Sequence, residues 1–162
     1  MKVQDAMMGL PVSCSPDTNL GSAIELLWNN NCGILPVVDA NQRVTGVVTD
    51  RDLCVALGTR NRLAAEIAVR EVATGPVHSC LPEDDIHTAL ETMAKYRVRR
   101  LPVVSKDGVL QGVLSMDNVV LHAESGKFGR KAELSNQDIV NTLQQIYGPQ
   151  VPLALKSRAA AN

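Results

Sequence analysis

Apolar and polar positions along the first part of the chain fall into short blocks, and each block has the spacing of one secondary-structure element. Apolar residues recur at helical spacing after Pro16, and two later apolar runs are short enough to be strands. Asp17 or Thr18 is placed to cap the helix. In chain order the pattern predicts an extended piece at 12–14, a helix carrying Leu20, Ala23, Ile24 and Leu27, strands at 34–38 and 44–49 around a polar turn at 39–42, and a short helix from Asp50 that ends at Gly58.

The same pattern returns 66 residues later without a gap. Residues 3–57 align with residues 69–123, and thirteen of the 55 pairs are identical, including all four of the Leu-Pro-Val-Val segment. A repeated sequence period indicates a repeated structural unit. One unit is too small to bury both faces of its sheet. We therefore expect two β-α-β-β-α units, packed sheet to sheet with pseudo-two-fold symmetry, in one α/β (α+β) domain.

The C-terminal part of the chain does not follow the repeat. The predicted boundaries are 1–60 for repeat 1, 61–123 for repeat 2, and 124–162 for a linker, a helix and a frayed tail. Ser135 and Asp138 have capping-box spacing before apolar positions at helical spacing, which predicts an amphipathic helix at about 135–147. Two roles are open for this helix: it packs on its own domain, or it docks on a partner subunit.

Composition narrows the classes of function. Aromatic residues make up only 2% of the 162 residues, which predicts an aliphatic core and disfavours single-stranded nucleic-acid binding by base stacking. The net charge of −1 gives no general attraction to nucleic acid or to a membrane surface. No apolar run is long enough to cross a membrane and no secretory signal is visible, so a cytoplasmic location is expected. The four cysteines have no metal-ligand spacing and are expected to be reduced core residues.

The second strand of repeat 1 ends in polar side chains that suit a nucleoside phosphate. Thr49 offers a hydroxyl at the junction with the next helix, whose free N–H groups favour an anion. Asp52 follows one helical turn later, and its carboxylate can accept two hydrogen bonds from a ribose. Thr-x-x-Asp is also an ordinary capping box, which is the favoured interpretation for a single copy. Ser115 and Asn118 occupy the equivalent positions in repeat 2, so paired clefts between the repeats are predicted.

The ordered set of motifs resembles the cystathionine-β-synthase (CBS) domain, and the tandem resembles a CBS pair, or Bateman module. Each repeat has a Ser-Cys-x-Pro segment, a Leu-Pro-Val-Val strand and a Gly-Val strand that ends in Thr or Ser, followed three residues later by Asp or Asn. The resemblance covers about residues 1–123. The motifs stand at 13–16, 35–38 and 46–52 in repeat 1, and at 79–82, 99–104 and 112–118 in repeat 2.

The resemblance implies a non-catalytic regulatory module that binds adenosine-containing ligands (AMP, ADP, ATP, S-adenosylmethionine or NAD(H)) between the repeats, with no required cofactor. It assigns phosphate to Thr49 and Ser115, ribose to the Asp or Asn that follows each, and adenine to the first short strands. Arg100, helped by Arg99, is the implied phosphate-binding arginine. The residues implied to bind the nucleotide are Ser13, Cys14, Ile34, Pro36, Val47, Thr49, Asp50, Asp52, Ser79, Cys80, Arg99, Arg100, Pro102, Val113, Ser115 and Asn118.

The two repeats depart from the family pattern in different ways. Ile34 stands in repeat 1 where repeat 2 has Arg100, and Asn118 stands in repeat 2 where repeat 1 has Asp52. The second site is therefore expected to have the better charge for phosphate, because arginine binds phosphate with two parallel hydrogen bonds. The first site is expected to hold a nucleoside or S-adenosylmethionine more readily than a polyphosphate.

Other functions remain open at this stage. An enzyme is disfavoured, because the chain's histidines at 78, 87 and 122 have no nucleophile or metal arrangement around them. The resemblance also implies a homodimer and a regulated protein partner. The alternative function is a structural dimerisation module with no physiological nucleotide ligand. The arginines at 97, 99 and 100 suit a phosphate site, and equally an exposed strand edge protected by charge.

Overall fold

A computed structural model describes residues 1–73, 75–123 and 133–149. The predicted linker at 124–131 and the predicted frayed tail after Val151 lie outside these ranges. The strands are β1 (Met8–Gly9), β2 (Ile34–Val38), β3 (Val44–Thr49), β4 (Arg100–Val104) and β5 (Leu110–Ser115). The α-helices are α1 (Leu20–Asn29), α2 (Asp50–Arg60), α3 (Ile86–Tyr96), α4 (Met116–His122) and α5 (Asn136–Tyr147). None of these helices is both long and apolar enough to span a membrane.

Each repeat contains one antiparallel hairpin, β2–β3 or β4–β5, at the predicted positions. The two hairpins meet at their turns. The Val44 N–H donates to the Gly108 carbonyl at 3.0 Å, and the Leu110 N–H donates to the Gln42 carbonyl at 3.0 Å. This reciprocal pair of hydrogen bonds relates the repeats by the predicted pseudo-two-fold axis.

The N-terminal segment of each repeat packs on the other repeat. Val3 is fully buried in the core of repeat 2, and its N–H donates to the Asp84 carbonyl at 3.0 Å. Its repeat equivalent, Val69, is fully buried in the core of repeat 1, and its N–H donates to the Thr18 carbonyl at 2.8 Å. β1 likewise pairs with β5 of the second repeat. The repeats therefore exchange their N-terminal segments and fold as one unit.

Each repeat has its own aliphatic core, as the composition indicated. Leu35 and Leu101, which open the two Leu-Pro-Val-Val strands, are fully buried at the centres of the two cores. Burying one leucine side chain completely is worth roughly 1.5–3 kcal/mol. Every residue of β2, and every residue of β4 except the first, is buried, so the packing fixes the positions of the polar ends of the hairpins.

The predicted cap of α1 is wrong by one or two residues. Asn19 is the N-cap, and its side-chain oxygen accepts a hydrogen bond from the Ser22 N–H at 2.9 Å. Thr18 is not available as a cap, because its hydroxyl accepts from the Ser15 N–H at 3.1 Å in the preceding turn. Asp17 lies one residue further from the helix.

Two further predictions differ from the structure. α2 continues through Gly58 to Arg60 and ends at Asn61, which has a left-handed backbone with φ of 49°. A single glycine in an exposed helix costs only about 1 kcal/mol and does not end it. The predicted first strand of each repeat is reduced to one parallel bridge, formed at Cys14 in repeat 1 and at Cys80 in repeat 2.

The C-terminal helix packs on its own chain. Ser135 is the N-cap, and the Asp138 carboxylate closes the predicted capping box by accepting from the Ser135 N–H at 2.9 Å and from its hydroxyl at 2.6 Å. Ile139 and Ile146 are buried in the core of repeat 2, where α5 lies against α3 and α4. The sequence left two roles open for this helix, and in the structure it packs on its own domain. The outer side of α5 carries the exposed Val140.

Candidate functional site

Two clefts lie between the repeats, and each is lined by residues of both. The Thr49 cleft has a volume of about 280 Å³. It is lined by Gly33, Ile34, Val47, Thr49, Asp50, Arg51, Pro76, His78, Arg97, Val98, Arg99, Arg100 and Pro102. The Ser115 cleft has a volume of about 410 Å³. It is lined by Met8, Leu10, Pro11, Val12, Asn30, Asn31, Cys32, Gly33, Ile34, Arg100, Val113, Ser115, Asp117 and Asn118.

The two clefts are repeat equivalents. A shift of 66 residues takes three cleft-lining positions on β3 and α2 of repeat 1 onto cleft-lining positions of repeat 2, whereas the fourth, Asp50, falls on the buried Met116. The same shift takes Val12 onto His78 and Asn31 onto Arg97, so the opposite walls also correspond. The clefts are therefore one architecture used twice, with different side chains in each copy.

At the Thr49 cleft, the hydroxyl and the carboxylate of the Thr-x-x-Asp motif bind each other. The Asp52 Oδ2 accepts hydrogen bonds from the Thr49 N–H at 2.9 Å and from the Thr49 hydroxyl at 2.7 Å. The capping interpretation of the motif is thereby confirmed. Thr49 lines the cleft, whereas Asp52 is not part of its wall. The carboxylate that lines this cleft is Asp50, the first residue of α2.

At the Ser115 cleft, the same box is formed with an amide in place of the carboxylate. The Asn118 Oδ1 accepts from the Ser115 N–H at 3.1 Å and from the Ser115 hydroxyl at 2.6 Å. Because an N–H donor fixes the acceptor as oxygen, the remaining Asn118 amide nitrogen is free to donate. Both residues line the cleft, so the wall offers a ligand a hydrogen-bond donor at this point.

The charges of the two clefts differ strongly. The wall of the Thr49 cleft carries four arginines, at 51, 97, 99 and 100, and the single carboxylate of Asp50. In the Ser115 cleft Arg100 faces Asp117, with 3.5 Å between Nη2 and Oδ2. The Arg100 guanidinium lies over Gly33, where a Cβ would come within 3.3 Å of it. Arg100 therefore stands between the two clefts, and its glycine neighbour leaves room for it.

The expected distribution of phosphate-binding charge is corrected by this arrangement. The resemblance implies that Arg99 and Arg100 bind phosphate at the second site, together with Ser115. In the structure Arg99 lines only the Thr49 cleft, and Arg100 lines both. The reason is that each cleft takes its hydroxyl from one repeat and its opposite wall from the other. The Thr49 cleft consequently has the greater positive charge.

Several residues implied by the resemblance lie outside both clefts. Ser13 lines a separate surface depression, Ser79 is exposed elsewhere, and Pro36 is buried within β2. Cys14 and Cys80 point into the two cores, and burial raises the pKa of their thiols to about 11 and about 12, respectively.

The first short segment of each repeat is divided between cleft and core. Val12 lines the Ser115 cleft and also packs against the core of repeat 1, in which Cys14 is buried. In repeat 2, His78 lines the Thr49 cleft and Cys80 is buried in the core. The implied adenine-binding segments thus reach the clefts at their first residues only.

Asn31 and Asp117, in the wall of the Ser115 cleft, were not among the residues implied to bind, whereas two predicted segments supply wall residues of the Thr49 cleft. His78 lines the Thr49 cleft and stacks on Tyr96, with ring centroids 3.5 Å apart. Arg97 has a left-handed backbone with φ of 57° at the end of α3, which turns the chain toward the cleft. Its repeat equivalent Asn31 is also left-handed. Asn31 and Arg97 thus occupy equivalent wall positions in the two clefts.

Within the described ranges, no group of three or more His, Cys, Asp or Glu side chains could hold a metal ion.

Comparison with known proteins identifies related chains. The family model described as CBS domain matches residues 3–59 and 69–124. The CBS domain-containing protein YhcV of Bacillus subtilis (strain 168) is 27% identical over 139 residues, which cover 85% of this chain and 97% of YhcV. Inosine-5'-monophosphate dehydrogenase of Aquifex aeolicus (strain VF5) is 28% identical over 121 residues. That match covers 74% of this chain but only 24% of the dehydrogenase.

Solved structures share the fold. CBSX2 in complex with AMP has a TM-score of 0.63 and 29% identity, covering 74% of this chain and 93% of CBSX2. The CBS domain pair of protein MJ0100, in complex with 5'-methylthioadenosine and S-adenosyl-L-methionine, has a TM-score of 0.69 and 21% identity, covering 75% of this chain and 94% of the other. The predicted fold class and the family resemblance are confirmed by these matches.

Proposed function

Because this chain belongs to the CBS domain family, we propose that it is a non-catalytic regulatory module that binds an adenosine-containing ligand between its two repeats. The observation that carries the proposal is the pair of repeat-equivalent clefts, each with a hydroxyl-capped helix start in its wall. Relatives of the same fold bind AMP, or 5'-methylthioadenosine and S-adenosyl-L-methionine. Concave sites with apolar walls and a few polar groups are typical of such ligands.

The Thr49 cleft offers each part of a nucleotide a matching surface. Ile34, Val47 and Pro102 form an apolar wall for the base. Asp50 can accept hydrogen bonds from a ribose. The arginines of the opposite wall can bind phosphate oxygens, with charge-assisted hydrogen bonds that are roughly twice as strong as neutral ones.

The difference in charge supports a difference in ligand. We assign the Thr49 cleft to a phosphorylated nucleotide, since its arginines outnumber its carboxylate. We assign the Ser115 cleft to a ligand with little net negative charge, such as a nucleoside or S-adenosylmethionine. The reason is that the Asp117 carboxylate lies 3.5 Å from the Arg100 guanidinium and offsets part of its charge on that side.

Calorimetric titration with AMP, ATP, S-adenosylmethionine, NADH and adenosine tests the proposal. A ligand present at about 100-fold over its Kd stabilises the folded chain by about 2.7 kcal/mol. For a chain of this length, that raises Tm by several degrees. If none of these compounds releases heat or raises Tm at millimolar concentration, the ligand-binding proposal is wrong, and the alternative of a purely structural module takes its place.

Matched variants assign the ligand to a cleft. Val47→Phe fills part of the Thr49 cleft, and Val12→Phe fills part of the Ser115 cleft. Val55→Phe is the control, because Val55 is exposed on α2 and lines neither cleft. A phosphorylated ligand is expected to lose at least about tenfold in affinity in Val47→Phe alone. Equal affinity in all three variants would place the ligand elsewhere.

A second copy of the chain is the proposed protein partner. In repeat 2 the outer face of α3 is covered by α5. The equivalent face of repeat 1 is a groove of about 600 Å³ between α1 and α2, with Ile24, Trp28 and Leu57 in its wall. No element of the described residues covers Trp28, which is 84% exposed. We propose that two copies bury these grooves against each other and present the ligand clefts to a regulated protein.

A further inference from the structure

We propose that the last turn of α5 positions the arginines of the Thr49 cleft, so that Tyr147 determines how well this cleft holds a phosphorylated ligand. The inference rests on the proposed function, because it concerns the same cleft. It adds a residue that lies outside the repeats and outside the cleft wall. It also gives the C-terminal helix a part in ligand recognition.

Two hydrogen bonds join the end of α5 to the cleft. The Arg99 Nη1 donates to the Tyr147 hydroxyl oxygen at 3.1 Å. The Arg97 Nη2 donates to the carbonyl oxygen of Gly148, the residue that ends the helix. Both arginines line the Thr49 cleft, and neither lines the Ser115 cleft. The contact to α5 is therefore specific to one of the two clefts.

The contacts reduce the freedom of two otherwise mobile side chains. Arg97 and Arg99 are both exposed. An arginine side chain has considerable rotamer entropy, part of which is lost whenever the side chain is fixed by a ligand. Hydrogen bonds to α5 fix both side chains before the ligand arrives. A guanidinium has five N–H groups, so each arginine keeps donors for a phosphate after this contact.

The helix that contacts the two arginines is itself packed on the core of repeat 2. α5 is held against α3 by the buried Ile139, Thr142 and Ile146. Tyr147, in contrast, is 62% exposed, so its hydroxyl acts on Arg99 without contributing much to the core. Removing this hydroxyl is therefore expected to change the position of the Arg99 side chain without destabilising the fold.

Coupling between two sites works in both directions. If docked α5 favours anion binding at Arg97 and Arg99, an anion bound there favours the docked last turn of α5. Binding in the cleft is thus transmitted to a helix whose outer side, with Val140, faces away from the repeats. This provides a physical route from the ligand to a surface that another protein can contact.

Affinity measurements on Tyr147→Phe test the inference. This variant is expected to bind ATP about fivefold more weakly, since one net hydrogen bond is lost. Its affinity for adenosine, which carries no phosphate, is expected to stay the same. Val140→Ala, on the same helix, is the control and is expected to change neither affinity. Equal losses for ATP and adenosine, or no loss for ATP, would overturn the inference.

A double-mutant cycle shows whether Tyr147 acts through Arg99. Arg99→Gln is expected to weaken ATP binding by more than about tenfold, since a charged hydrogen bond is lost. In that background, Tyr147→Phe is expected to have no further effect, because its partner is gone. Additive effects of the two changes would show that Tyr147 does not act by positioning this arginine.

Hydrogen exchange with inorganic pyrophosphate separates this inference from the proposed function. Millimolar pyrophosphate is expected to slow amide exchange in the last turn of α5 in the wild-type chain, but not in Arg99→Gln. If pyrophosphate protects α5 while no adenosine compound binds, the anion site stands and the nucleotide proposal falls. If adenosine compounds bind while neither ATP nor pyrophosphate protects α5, the nucleotide proposal stands and the inference falls. If no adenosine compound binds and pyrophosphate does not protect α5, both the nucleotide proposal and the inference are wrong.

Discussion

At the scale of single residues, two repeat-equivalent glycines mark where a neighbouring segment comes close to a strand. A Cβ at Gly112 would lie 2.8 Å from the carbonyl oxygen of Met8 and 2.8 Å from the sulfur of Met7. A Cβ at Gly46 would lie 3.3 Å from the Cβ of Ala73. The first contact involves the backbone of β1, which pairs with β5 at this point, so it cannot be relieved by a side-chain rotation.

Gly112→Ala is therefore expected to lower the free energy of unfolding by about 1–3 kcal/mol, the usual cost of overpacking a close contact. Gly46→Ala is the matched control and is expected to cost less than about 1 kcal/mol, because its nearest contact, at 3.3 Å, is longer and requires only a small shift of Ala73. Urea unfolding of both variants measures the difference. Equal losses would show that the exchange of β1 onto repeat 2 does not hold this glycine in place.

The role of a single residue could be predicted where it depends only on residues close to it in the sequence. Thr49 and Ser115 were indicated as cleft residues because a hydroxyl at a strand end belongs to the next helix start, and this depends on a few neighbours only. The cleft that Arg99 enters was not predictable in the same way. It depends on how two repeats, 66 residues apart, face each other. From the sequence, an arginine could be assigned only to the cleft that carries the hydroxyl of its own repeat. In the structure Arg99 lines the cleft that carries the hydroxyl of the other repeat.

At the scale of elements, α5 depends on its first turn. Hydrogen bonds from the Ser135 hydroxyl and backbone N–H lower the pKa of the Asp138 carboxyl below its ordinary value of 3.8. A lowered pKa in the folded state means that the contribution to stability is present above the ordinary pKa and is lost as the pH falls through the folded value. His87 lies beside the same carboxylate, with 3.5 Å between Nε2 and Oδ2, and lowers its pKa further.

The docking of α5 is therefore expected to weaken as the pH falls below the ordinary carboxyl pKa of 3.8 and through the lowered pKa of Asp138. Amide hydrogen exchange across the helix, corrected for intrinsic rates, measures this. Ser135→Ala is expected to cost about 1 kcal/mol of helix stability at neutral pH and to flatten the acid dependence. Gln137→Ala, in the same turn and outside the capping box, is the control. An unchanged acid dependence in Ser135→Ala would show that the box does not govern docking.

The elements themselves were largely predictable, and the exceptions have physical reasons. The β2–β3 hairpin and α5 carry strong local signals, in apolar runs and capping spacing, and were found at the predicted positions. β1 has only two residues and is stabilised by pairing with β5, which no local pattern reveals. α2 passes Gly58 because continued helical hydrogen bonding outweighs the weak helix propensity of one glycine.

At the scale of the whole molecule, the symmetry of the repeats is broken by α5. In repeat 2, Leu90 is buried beneath this helix, whereas its repeat equivalent Ile24 is 37% exposed. The next residue on that face of α1, Trp28, corresponds to the buried Ala94. Within the described residues, the same framework thus has a covered face in one copy and an open apolar face in the other. Open apolar patches of this kind mark interaction sites.

The proposed homodimer through the open face makes a prediction about the chain's single tryptophan. Burial of Trp28 between two copies is expected to shift its fluorescence to shorter wavelength as the protein concentration rises. Trp28→Ala is expected to weaken dimerisation by about 2 kcal/mol or more, as large aromatic residues at interface centres do. Sedimentation of Leu63→Ala is the control, because Leu63 is exposed but outside the groove. The dimer would be contradicted if the wild-type chain stayed monomeric when its concentration was raised about 100-fold above the lowest concentration at which Trp28 emission is recorded. A dimer that Trp28→Ala leaves intact would also contradict the proposal, because the groove between α1 and α2 would then lie outside the interface.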